Sequence, residues 1–157
     1  MSVQPDPDFW RARRVLVTGG RGFLGQAVLE RLSVHGATTV MAPSSAEFDL
    51  RDRAAVASMF AETEPDLVIH LAARVGCIGA NMQRPSDLYL DNLLMGTYVL
   101  DATRRLEVEK TVIIGTICSY PKFTPVPFSE VSLWQGFPEE TNAPYGLAKL
   151  AQLVQLQ

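Results

Sequence analysis

A tyrosine and a lysine four residues apart, Tyr145 and Lys149, have the spacing that puts two side chains on one face of a helix. An ammonium beside a phenol lowers the phenol's pKa, so the pair could exchange a proton with a bound oxygen near neutral pH. Thr116 follows directly on the apolar run Lys110 to Gly115, where its hydroxyl could hold the same oxygen. Each residue also has a plainer reading. Y-x-x-x-K occurs on many exposed helix faces, and a loop threonine usually serves its own turn.

Gly19, Gly22 and Gly25 supply the context. They lie between a short apolar run, Arg14 to Thr18, and a helical pattern from about Gly22 to Ser33. Glycines at this spacing let the main chain approach a pyrophosphate closely, with the positive end of the helix facing the phosphates. The turn therefore predicts a dinucleotide site. NAD sites place a carboxylate about twenty residues beyond such a turn to take the ribose 2′-hydroxyl. Here the second strand ends Ala42-Pro43-Ser44-Ser45, and Glu47 comes several residues late. Arg21 within the turn, with the hydroxyls of Ser44 and Ser45, suits a 2′-phosphate instead. That favours NADP and leaves NAD open.

The elements that must position these residues alternate along the chain. Strands are expected at Arg14 to Thr18, Thr38 to Ala42, Asp66 to Leu71 and Lys110 to Gly115. Between them fall a helix whose inner face carries Val56, Met59 and Phe60, and a long helix from Pro85 to about Arg105. Pro85 suits a first turn, where its missing N–H costs nothing. Gly96 costs about 1 kcal/mol within a helix, which points to a close-packed neighbour. After a loop rich in Pro and Glu, a last helix starts near Ala143, with Leu147, Leu150, Ala151 and Val154 on one face. Strands alternating with helices predict an α/β fold of the Rossmann type, a doubly wound parallel sheet. Residues 1–12 read as an extended or loosely packed arm and 13–157 as the nucleotide-binding domain.

With 157 residues, 47% of them apolar, 20% charged, and a mean hydropathy of +0.08, the chain suits one globular domain. A net charge of −3 and the lack of a basic run argue against nucleic acid as a partner. Arg11, Arg13 and Arg14 read as a solvated lead-in to the first strand. Cys77 and Cys118 are too few and too distant for a disulfide framework or a zinc site. No apolar stretch approaches the roughly 18 residues that span a bilayer, and the N-terminus lacks a signal-peptide core. A soluble cytoplasmic protein without a membrane partner is the expectation. His35 and His70 read as structural.

Taken together, TGGRGFLG (Thr18 to Gly25), HLAA (His70 to Ala73), Asn92, Thr116 and the Tyr145/Lys149 pair resemble the extended short-chain dehydrogenase/reductase family. Longer strings, AARVGCIGAN, GTICSYPK and EETNAPYGLAK, are similar to a branch of that family acting on GDP-sugars. The resemblance implies epimerisation at C3 and C5 of GDP-4-keto-6-deoxymannose, then NADPH reduction of its C4 ketone. It assigns Thr116, Tyr145 and Lys149 to the reduction and Cys118 to proton transfer during epimerisation. It implies cofactor contacts at Gly19, Arg21, Gly22, Phe23, Leu24, Gly25, Ser44, Ser45, Asp49, Leu50, Leu71, Ala72, Ala73, Asn92, Tyr145 and Lys149. It also implies a homodimer packed through the long helix and the Tyr/Lys helix. Cys77 departs from the related pattern, which has glycine there. The family's last strands, its substrate domain and a histidine partner for the cysteine are expected beyond Gln157, which makes this chain an N-terminal portion. A different sugar-nucleotide epimerase or dehydratase, a non-catalytic nucleotide-binding module and a subunit completed by another chain are the alternatives.

Overall fold

The structure is a computed structural model that describes residues 8–76 and 78–157. Cys77 and most of the N-terminal arm therefore lie outside the described residues. Four strands form one parallel sheet in the order β2-β1-β3-β4: β1 (Arg14–Thr18), β2 (Thr39–Met41), β3 (Leu67–His70) and β4 (Lys110–Ile113). Parallel neighbours need crossovers, which α1 (Phe23–Val34), α2 (Arg53–Thr63) and α4 (Pro85–Arg105) provide. A short α3 (Ile78–Gln83) precedes α4, and α5 (Ala143–Gln155) closes the chain. Each expected strand and helix is present; β1 has the expected bounds, and the other three strands are shortened at their ends by a residue or two.

Side-chain alternation explains why helices cover both faces of the sheet. Val15 and Val17 on β1 join Leu67 on β3 and Leu32 on α1 in one core. The intervening Leu16 and Val68 face the other way, packing with Val56, Met59 and Phe60 of α2 and Val99 of α4. Successive strand residues point to opposite faces, so one strand feeds two cores. Asp52 caps α2 by accepting from Ala54 N at 2.8 Å.

The lead-in to β1 is more firmly tied than a solvated segment. Phe9 and Trp10 pack against the α1-side core, and the Arg13 guanidinium lies 4.1 Å from the centre of the Phe9 ring. Arg13 also pairs with Glu109, and Arg14 with Glu64 and Asp66, so the two arginines tie the start of β1 to the segments that lead into β4 and β3.

Two further departures concern the C-terminal third. The Pro- and Glu-rich connection contains two short 3₁₀ helices, Ile117–Ser119 and Glu130–Trp134. The buried face of α5 carries Ala143, Gly146, Ala148, Lys149 and Gln152, whereas Leu147, Leu150 and Ala151 are half-buried and Val154 is exposed. Small residues and hydrogen-bonded polar ones permit a closer approach to α4 than the leucines would. No described helix is long and apolar enough to cross a membrane.

At the ligand-facing end of the sheet, Thr18 and His70 sit side by side on β1 and β3, with Thr18 Oγ1 2.7 Å from His70 Nδ1. His70 is wholly buried. Burial, and then the positive charge of Lys149, hold its pKa down to about 3 against an ordinary 6.5. Between those values the unfolded chain binds a proton that the native one refuses, so stability falls as pH drops through this range. From pH 7 to pH 5 the loss from this group is about 2 kcal/mol. Urea titrations of the native protein and His70→Gln should show a smaller acid dependence in the variant; equal dependence would exclude His70 as the cause.

Candidate active site

The glycine turn is built around contacts that admit no Cβ. Gly19 leaves β1 with φ of 73°, a left-handed conformation that favours glycine, and a Cβ there would lie 2.7 Å from Ala72 N. A Cβ on Gly25 would approach Gly20 Cα to 2.5 Å, so α1 rests directly on the turn. Gly22 caps α1 without a side-chain bond, which leaves first-turn N–H groups for a ligand.

Beside this turn opens a cleft of about 730 Å³. Its lining includes ten residues expected to meet a dinucleotide: Gly19, Arg21, Gly22, Ser44, Ser45, Asp49, Leu50, Leu71, Ala72 and Ala73. Tight main-chain turns, a helix N-terminus and cleft size together fit a pyrophosphate-containing cofactor. The other six expected contacts, Phe23, Leu24, Gly25, Asn92, Tyr145 and Lys149, are not part of its lining. The Phe23 ring is exposed to solvent and Leu24 is half-exposed, since both sit on the outer side of the first turn of α1. Gly25 is buried against the turn rather than open to the cleft. Asn92 spends its side chain elsewhere: Oδ1 accepts from Arg74 N at 2.9 Å, and Nδ2 donates to Arg74 O at 2.8 Å and Leu88 O at 2.7 Å. It pins the segment after β3 and does not face the cleft.

Glu47 corrects the reading of the second strand's end. A turn after Ser44 folds its carboxylate back, where it accepts from Ser44 N at 2.7 Å and Ser44 Oγ at 2.6 Å. The same oxygen takes Arg21 Nη2 at 3.0 Å. A carboxylate is thus present beside Ser44, in contact with the arginine expected to receive a 2′-phosphate. The Ser44 bonds first, and the arginine charge last, hold the Glu47 carboxyl below its usual range. Spacing alone missed this because the chain reverses between residues 44 and 47.

Arg51, Arg74 and Asp91, which the motifs did not single out, also line the cleft. Asp91 receives Arg74 and lies 3.6 Å from Arg51, and Arg51 pairs with Asp49 at 2.7 Å. The Arg51 contacts hold Asp49 at a pKa of about 2. Guanidinium groups at a cleft mouth are suited to polar, anionic ligands.

The second group of residues gathers at the N-terminal half of α5. Thr116 caps the first 3₁₀ helix by accepting from Cys118 N at 3.2 Å, and its hydroxyl lies near enough to the Tyr145 phenol to lower its pKa. Ser119 Oγ donates to Gly146 O at 2.8 Å. A Cβ on Gly146 would overlap the Cys118 carbonyl, lying 2.7 Å from its carbon, so the absence of a side chain sets the distance from Tyr145 to Cys118. Cys118 is a free, part-exposed thiol.

Tyr145 and Lys149 do share a helix, but the expected electrostatics are reversed. Burial first, and the neighbouring Cys118 next, raise the Tyr145 phenol above its ordinary value, with the Thr116 hydroxyl acting the other way. Lys149 is buried, which lowers its pKa to about 8. Its Nζ donates to Gln152 Oε1 at 3.0 Å, one turn further along α5. The ammonium is therefore directed to Gln152, and the phenol keeps its proton at neutral pH.

Comparison with known proteins identifies the family. The model for the NAD dependent epimerase/dehydratase family matches residues 15–157, and the chain belongs to that family. GDP-L-fucose synthase 1 of Arabidopsis thaliana is 37% identical over 141 residues, covering 90% of this chain and 44% of that protein. GDP-L-fucose synthase of Escherichia coli strain K12 is 35% identical, covering 88% of this chain and 43% of its own length. The structure of a GDP-L-fucose synthetase from Naegleria fowleri bound to NADP superposes with a TM-score of 0.79 at 32% identity, covering 88% of this chain and 41% of that one. The chain thus spans less than half the length of these relatives.

Because Gly146 sets the approach of α5 to Cys118, Gly146→Ala should cost about 1–3 kcal/mol by overpacking. Chemical denaturation of the variant tests this, and unchanged stability would show that the two segments are not in contact.

Proposed function

We propose that this chain forms the cofactor-binding and proton-transfer part of a GDP-sugar epimerase-reductase that acts as a GDP-L-fucose synthase. The proposed reaction is epimerisation at C3 and C5 of GDP-4-keto-6-deoxymannose, followed by NADPH-dependent reduction at C4. The observation that carries this reading is the gathering of Thr116 and Cys118 around Tyr145, one turn of α5 before the buried Lys149, in a chain whose glycine turn borders a cleft of dinucleotide size.

A bound nicotinamide would supply hydride to the C4 carbon. Tyr145 gives a proton to the C4 oxygen, for which a phenol held in its protonated form is the right reagent. Thr116 holds that oxygen through its hydroxyl. Lys149, one turn along α5 from Tyr145, would serve the cofactor ribose with the donors not taken by Gln152. Cys118, part-exposed beside Tyr145, exchanges protons at the carbons flanking the ketone. The expected homodimer belongs to the same reading and is supported by Tyr89 and Leu90 on α4 and Val154 on α5, all apolar side chains left exposed.

NADP is the proposed cofactor through Arg21, while the Glu47 carboxylate beside Ser44 favours NAD as the second reading. Binding of NADPH and NADH, followed by nucleotide fluorescence, separates them. NADPH should bind more tightly, by about tenfold for one charge-assisted contact, and Arg21→Ala should erase that preference. Glu47→Gln should widen it by freeing Arg21. Equal affinities, unchanged by Arg21→Ala, would contradict the NADP assignment.

A further inference from the structure

We propose that Gln152 is the positioning residue for Lys149, its amide tying the lysine to the main chain of α4 through a slot that Gly96 leaves open. The proposal rests on the reading of Lys149 as the group serving Tyr145 and the cofactor.

Three observations converge. Gln152 is 1% exposed, and both ends of its amide are engaged: Nε2 donates to Asn92 O at 2.9 Å and Oε1 accepts from Lys149 Nζ at 3.0 Å. Chemistry leaves no freedom in that orientation, since a main-chain carbonyl can only accept and an ammonium can only donate. The third observation is on the facing helix. A Cβ on Gly96 would overlap Nε2, Cδ and Cγ of Gln152, so any other residue at position 96 closes the slot.

The consequence is specific to the lysine. A long, flexible side chain is immobilised at its tip, one turn along its own helix and against a neighbouring one. The amide oxygen also stabilises the charged form, opposing burial. Among the described residues one of three ammonium donors is spent, which leaves two for a ribose or another acceptor. Gln155, further along α5, makes a parallel bond from Nε2 to Thr97 O at 3.0 Å and no hydrogen bond to a titrating group among the described residues, so it ties the helices without acting on Lys149.

Lysines occur at 110, 122 and 149, so the carbon-13 resonance of Lys149 Cε can be assigned with Lys149→Met and titrated without cofactor. Gln152→Met keeps the shape and loses the acceptor; its titration midpoint should fall by about one pH unit. Gln152→Glu places an anion there and should raise the midpoint by at least as much. Gly96→Ala should reproduce the fall, with no further fall when combined with Gln152→Met. An unmoved midpoint in folded Gln152→Met would overturn the proposal, and if that variant fails to fold, an unmoved midpoint in Gln152→Glu would do so. Absence of NADPH binding by the native protein, alongside the predicted shifts, would sink the functional reading and leave the tie between Gln152 and Lys149 standing.

Discussion

Main chain packed against its neighbours with no room for a side chain is the constraint on which the site depends. It operates at three places. Gly25 brings α1 onto the turn after β1, Gly146 brings α5 onto the segment carrying Thr116 and Cys118, and Gly96 admits Gln152 between α4 and α5. The first contact shapes the glycine-turn end of the cleft, and the other two fix where Thr116, Cys118, Tyr145 and Lys149 sit. Tight interiors transmit small changes in volume, so each glycine controls groups it does not itself carry.

The polar interior follows from that closeness. Burying a lysine or an amide is costly unless it finds partners, and the short distance between α4 and α5 supplies them. Lys149 meets Gln152, Gln152 meets the Asn92 carbonyl, and the Asn92 side chain holds the segment after β3. One connected set of hydrogen bonds thus runs from the tyrosine-bearing helix to the wall of the dinucleotide cleft. His70 is the exception: its Nε2 has no partner among the described residues, and burial beside a positive charge keeps the ring neutral. The protonation states that result suit reduction, with a phenol retaining its proton and a lysine poised near pH 8.

Much of this was legible in the sequence, for identifiable reasons. Alternation along Arg14–Thr18 and Leu67–His70 marks buried parallel strands, and glycine spacing marks a turn that needs main-chain approach. Gly96 announced a close neighbour, although not that the neighbour would be Gln152. The misses share a cause. Glu47 reaches Ser44 only because the chain reverses, and Arg51, Arg74 and Asp91 converge from separate elements, which linear spacing does not reveal. The inner face of α5 was not legible because an apolar stripe is the usual guide to burial, and here small and hydrogen-bonded residues take that face.

The central claim is that the glycine turn and the end of β3 form one dinucleotide site whose reactive end reaches α5. Amide chemical shifts recorded by nitrogen-15 NMR during titration with NADP test it most directly. The account predicts saturable shifts at Gly19 to Gly25 and Leu71 to Ala73, joined by Tyr145 and Lys149. Shifts confined to other surfaces, or none at saturating cofactor, would contradict it.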